Sequence, residues 1–153
     1  MEKDNYFMNL ALQQAKNAFA LGEVPVGAVI VKNDQVIGSA YNLRESERNA
    51  LAHAEILAIE QCCKTLQSWR LTDCDLYVTL EPCPMCSGAI INARIRRVIY
   101  GAYDSKAGCC ESVINLFALP FNHQPIIHGG VLQKESSQLL KSFFKKLRGK
   151  AGN

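Results

Sequence analysis

Apolar positions recur every three or four residues from Phe7 through Leu10, Ala11, Ala15 and Ala18 to Phe19, which predicts an amphipathic helix. Asp4 or Asn5 can cap its start, and Gly22 follows its end. Beyond it the pattern changes. "VPVGAVIVK" is rich in β-branched residues and reads as a strand, turning at Asn33-Asp34 into a second, "QVIGSAYN". Residues 43–50 are polar and charged and form a loop; a helix follows over about 53–66. "DLYVTL" is a third strand that runs directly into Glu81-Pro82-Cys83-Pro84-Met85-Cys86. Pro84 suits the first position of a helix, where its missing N–H costs nothing, and "MCSGAIINAR" continues that helix to about Arg94. "RRVIYGAY" is a fourth strand, "PIIHGGV" a shorter fifth, and "KESSQLLKSFFKKLR" a final amphipathic helix. This order predicts an α/β fold, a three-layer α-β-α sandwich around a mixed five-stranded sheet. The nearly continuous apolar strands agree with a sheet covered on both faces.

No internal repeat, low-complexity tract or linker interrupts the pattern, so residues 1–153 are expected to form one domain. A chain of this length buries roughly 70% of its unfolded surface. No apolar run reaches the roughly 18 residues of a membrane span. The opening Glu2-Lys3-Asp4 lacks the apolar core of a signal peptide, so a cytoplasmic location is expected. Seven cysteines is an odd number and a large one for a chain with a sufficient core. Reduced thiols follow, some of them metal ligands. Cys62, Cys63, Cys74, Cys109 and Cys110 have no ligand-like spacing to a histidine and read as small apolar residues. The net charge of +3 is too mild to indicate nucleic acid. Two basic clusters, Arg94/Arg96/Arg97 and Lys141/Lys145/Lys146/Arg148/Lys150, read first as solvated faces.

"AHAEILAIE" puts His53 and Glu55 at the front of an apolar helix. In mid-helix, residues two apart point about 200° away from each other, but at a helix start the first is only half inside and the two can converge. Cys83 and Cys86, three apart, share a face at the start of the next helix. One imidazole and two thiolates make three ligands of a tetrahedral zinc site. A structural zinc is closed by four protein groups, whereas a catalytic one leaves a position for water. Two thiolates neutralise the ion's charge and acidify its water less than three imidazoles would, which gives Glu55 a role as proton shuttle. A redox Cys-x-x-Cys has no use for a distant His-x-Glu, and a structural site would need His123 or His128 as a fourth ligand. The helical zinc-protease pattern, two histidines around a carboxylate, is absent. His-x-Glu with Pro-Cys-x-x-Cys is instead the signature of zinc nucleobase deaminases, in which water displaces an exocyclic amine as ammonia.

"EVPVGAVIV", "AHAEILA", "LYVTLEPCPMCSGAI", "RVIYGAYDSKAG" and "FFKKLR" occur in the order seen in the bacterial tRNA-specific adenosine deaminases, which this sequence closely resembles. The resemblance implies a cytidine deaminase-like fold. It also implies hydrolytic conversion of the wobble adenosine of a tRNA anticodon to inosine by a zinc-activated water, in a homodimer with one Zn2+ per subunit. By position, His53, Cys83 and Cys86 then bind zinc and Glu55 moves protons. Asn42 reads the base, and Val26, Gly27 and Ala54 shape its pocket. Asp104 meets a ribose hydroxyl, and Lys106, Phe143, Phe144 and Arg148 contact the anticodon stem-loop. Several of these also have plainer roles: Gly27 as a strand bulge, Asn42 as a turn residue, Asp104 as a solvated loop carboxylate. Phe143 and Phe144 cannot both face the core from one helix, so one touches RNA or shields an edge. Leu51, the loop "LRESERNA", Cys109 and Cys110 depart from the family pattern and bear on the RNA-facing rim rather than on the zinc set. A deaminase of free cytidine, cytosine or guanine, and a zinc-stabilised RNA-binding module without catalysis, are the competing readings.

Overall fold

The predicted order of elements is the observed one. The structure, a computed structural model, describes residues 2–151. The elements are α1 (Glu2–Ala20), β1 (Gly27–Lys32), β2 (Gln35–Tyr41), α2 (Ala54–Leu66), β3 (Cys74–Leu80), α3 (Pro84–Ala93), β4 (Arg97–Ala102), β5 (Ile126–Gly129) and α4 (Gln133–Ala151). A short 3₁₀ turn over Leu116–Ala118, absent from the sequence reading, lies in the long connection before β5. The sheet runs β2-β1-β3-β4-β5. β1 is antiparallel to both β2 and β3, whereas β3, β4 and β5 are parallel. The β1–β2 turn is Asn33-Asp34, both with positive φ, the conformation that matches the twist of a two-residue hairpin.

Strand alternation divides the core into two layers. Ala28, Ile30, Leu76, Val78, Val98 and Tyr100 face α2 and α3, meeting Ala54, Ala58, Cys62, Ile90 and Ile91. Val29, Val31, Tyr77 and Ile99 face the other way, against Phe7, Met8 and Ala11 of α1. On this second face α4 packs beside α1, Phe143 meeting Phe19 edge to face at 5.8 Å. Each fully buried Ile or Leu contributes about 1.5–3 kcal/mol.

Two boundaries and one buried face differ from the sequence reading. α1 begins at Glu2, so Asp4 and Asn5 lie inside it and cannot cap it. The carboxylate of Asp4 instead accepts hydrogen bonds from the Tyr77 hydroxyl (2.6 Å) and Arg97 (2.9 Å). The buried face of α1 includes Met8 and Leu12, while Leu10 and Phe19 are only half-buried. β1 starts at Gly27, not at Val24, because Pro25 has no N–H to extend the ladder.

The basic cluster around Arg94 is largely taken up within the fold. Arg96 pairs with Asp75 at 2.9 Å, Arg97 bridges Asp4 and Asp75, and Arg94 donates to the carbonyl of Ile91. The non-ligand cysteines are free thiols, buried except for half-buried Cys63, as expected of small apolar residues. None of the described helices is long and apolar enough to cross a membrane.

Gly27 is placed by packing. A Cβ there would lie 2.1 Å from the Ala11 carbonyl oxygen and 2.4 Å from the Ala15 nitrogen, so its bare face is turned to α1 and not to a ligand. Gly27→Ala is therefore expected to lower the unfolding free energy by about 3 kcal/mol through overpacking. Urea denaturation checks this. An unchanged midpoint would show that α1 can retreat.

Candidate active site

α2 and α3 both begin at the same end of the sheet, and each opens on a residue whose side chain is diverted from its usual task. His53 and Cys83 occupy the N-cap positions in extended backbone, yet neither makes a capping hydrogen bond. Both side chains turn toward a shared point instead. His53 Nδ1 is 3.6 Å from Cys83 Sγ and 3.5 Å from Cys86 Sγ. All three ligating atoms lie within 4.8 Å of one another, and among the described residues no fourth His, Cys, Asp or Glu joins them. A tetrahedral zinc with bonds of about 2.3 Å to sulfur and 2.0–2.1 Å to nitrogen separates those ligands by roughly 3.6 Å. The donor set fits the metal that the sequence predicted.

Ionisation within the cluster is uneven. A hydrogen bond from Cys86 draws the Cys83 thiol down to about 4, against the effect of burial and with help from His53. The same bond, with burial, pushes Cys86 far up. The hydrogen bond to Cys83 raises His53 above its ordinary value, with burial opposing. Glu55, in the first turn of α2, is buried; desolvation, aided by the nearby Cys83 charge, lifts its carboxyl to about 7. A carboxyl poised near neutrality can both take and give a proton.

Above the cluster opens a cavity of about 220 Å3. Val24, Val26 and Leu80 supply apolar walls, and Asn42, Arg44, Asp104 and Ala107 border it with His53, Ala54, Glu55, Glu81 and Cys83. The fold thus gathers Val26, Asn42, His53, Ala54, Glu55, Cys83 and Asp104 from separate parts of the chain, with Cys86 buried beside them. A Cβ at Gly27 would point at α1, and Gly27 is not among the residues that border the cavity. Lys106 is exposed beyond Asp104, and Phe143, Phe144 and Arg148 on α4 do not border the cavity. Phe143 is buried on Phe19, whereas Phe144 is 40% exposed. A wider, open groove of about 820 Å3 along the start of α4, bordered by Lys134, Lys141 and Lys145, contains none of the cluster.

Two buried carboxylates missed by the sequence reading hold the rim. Glu23 accepts from the backbone of Glu45 (3.1 Å) and Ser46 (2.6 Å), pinning the loop that carries Arg44. Glu81 accepts from the backbone of Asp104, Cys110, Glu111 and Ser112. Burial pushes the Glu81 carboxyl up, but the bonds from Ser112, Glu111 and Asp104 outweigh it and hold it below the usual range. For Glu81 the available signal was a charge placed directly after the strand "DLYVTL". Asn42 has a structural duty too: its Nδ2 donates to the Val24 carbonyl at 3.2 Å and its Oδ1 accepts from the Arg44 N–H at 3.2 Å.

Helix starts that bring one imidazole, two sulfurs and a protonatable glutamate under a small cavity are the mark of the nucleobase deaminases, and this is the class the fold and site define. A family model of MafB19-like deaminases matches residues 1–148. The tRNA-specific adenosine deaminase of Bacillus subtilis is 48% identical over 151 residues, covering 98% of this chain and 94% of that protein. A solved structure from a study of A-to-I editing by tRNA:A34 deaminases at the wobble position superposes with a TM-score of 0.85 at 44% identity, covering 88% of this chain and 98% of that one. A guanine deaminase from Bacillus subtilis superposes less closely, with a TM-score of 0.61 at 32% identity over 76% of this chain and 85% of that one. The chain belongs to the tRNA-specific adenosine deaminase family.

Proposed function

We propose that the chain hydrolyses adenosine to inosine at the wobble position of a tRNA anticodon, releasing ammonia. The His53–Cys83–Cys86 cluster beside buried Glu55, in a chain of this family, carries the reading. A Zn2+, when bound, would be held by His53, Cys83 and Cys86 and would supply the Lewis acidity that lowers the pKa of a water. Glu55 takes a proton from the attacking water and returns protons to the base and to the departing amine. Its burial favours the protonated carboxyl between transfers. The positive ends of α2 and α3 favour the ionised sulfur and the negative charge that develops during attack. Val26 and Ala54 wall the base, Asn42 presents a fixed amide edge to it, and Asp104 accepts from a ribose 2′-hydroxyl, which separates RNA from DNA. Lys106, Phe144 and Arg148 extend the contact along the stem-loop, and the working form is a cytoplasmic homodimer with one zinc per subunit.

The guanine deaminase likeness supports a second, weaker reading with a free base as substrate. Incubation with unmodified anticodon stem-loops carrying A34, beside free guanine, adenosine and cytidine, decides between them. Inosine in the stem-loops and no turnover of the small substrates is the expected result. Turnover of guanine alone would overturn the proposal.

A further inference from the structure

We infer that Glu81 is a positioning residue that sets the substrate-facing rim of the cavity through the loop over residues 104–112, an inference that rests on the deamination reading for its substrate. Glu81 directly follows β3, two residues before Cys83, is 2% exposed, and forms no ion pair among the described residues. Both its oxygens serve a single loop. Oε1 accepts from the N–H of Asp104 at 3.0 Å and from the Ser112 hydroxyl. Oε2 accepts from the N–H groups of Cys110 (3.0 Å), Glu111 (2.7 Å) and Ser112 (2.9 Å). One carboxylate thus gathers donors from both ends of a nine-residue span, the role a bound anion plays in a nest of backbone amides.

A second observation is independent of those bonds. Gly108, at the centre of the loop, lies so close that a Cβ there would be 2.4 Å from the Glu81 carboxyl carbon and 2.5 Å from Oε1. The loop closes over the carboxylate with no space left between them. Within the loop, Asp104 Oδ1 accepts from the N–H groups of Lys106 and Ala107, which fixes the orientation of its own carboxylate. Asp104 and Ala107 border the cavity. On the far side, the Tyr100 hydroxyl donates to Glu111 and ties the loop's end to β4. Glu81 therefore decides where Asp104 stands relative to the cluster, although its own oxygens face the loop.

The test uses the zinc-loaded full-length chain. Glu81→Gln keeps the volume but replaces one accepting oxygen by an amide that repels the N–H groups. It is expected to raise KM for the stem-loop about tenfold, with kcat within about twofold and zinc content unchanged, as loss of a contact made equally in ground and transition states requires. Ser112→Ala removes one donor, leaves the fold intact, and should move KM the same way by about threefold. Amide exchange at Asp104, Cys110, Glu111 and Ser112 should quicken in both variants. An unchanged KM, or a fall in kcat with loss of zinc while those amides stay protected, would overturn the inference. Stem-loop affinity by fluorescence anisotropy and the amide exchange do not require turnover. They judge the role of Glu81 even if the wild-type chain forms no inosine, a result that would sink the deamination reading alone.

Discussion

Glu55→Gln is expected to lower turnover of an anticodon stem-loop by about 10³-fold with metal content unchanged, since general acid–base groups contribute on this scale. The same change should make the metal-stripped protein more stable. Burial raises the Glu55 carboxyl from its ordinary 4.5 to about 7 in the folded chain. A raised folded value means that the native state holds a proton which the unfolded chain has already released. Stability from this group is therefore complete below pH 4.5 and is lost as pH rises through 7. At pH 8 the penalty is about 3 kcal/mol. Glutamine, which does not titrate, removes it. Urea titrations of stripped wild type and variant at pH 4, 6 and 8 should converge at pH 4 and separate by pH 8. Parallel curves would mean that the carboxyl is hydrated in solution.

Cys86→Ala is expected to abolish activity and to leave less than about a tenth of a metal ion per chain, because two remaining ligands cannot complete a tetrahedral set. Chelation of the wild type should do the same reversibly and lower the melting temperature by roughly 10 °C, the stabilisation of a site filled at about a thousand times its dissociation constant. Metal and protons compete for His53 and the two sulfurs. Because the hydrogen bond to Cys83 raises His53, protons should displace the ion at a higher pH than they would from an unperturbed imidazole. Metal analysis after dialysis at stepped pH measures this. Full activity in Cys86→Ala would remove the cluster from the chemistry.

The strands and helices were legible because period and punctuation agreed. Val29 and Val31 alternate with Ala28 and Ile30 between two covered faces, and Pro84 announces α3 at its first residue. The start of α1 was not legible. Asp4 has the chemistry of a cap, and only the fold shows that Tyr77 and Arg97, far along the sequence, claim it. The His53–Cys83–Cys86 cluster could be read because its spacing is local at each helix start. Glu23 and Glu81 escaped notice for the opposite reason: their partners are backbone N–H groups, which leave no trace in residue identity. The close approach of α1 to Gly27 was not legible either, since a bare Cα announces a near neighbour without saying which.

Each rim loop hangs from one carboxylate outside the His53–Cys83–Cys86 cluster. A substitution at Glu23 or Glu81 would therefore reshape the mouth of the cavity and leave the geometry of the three clustered side chains as it is.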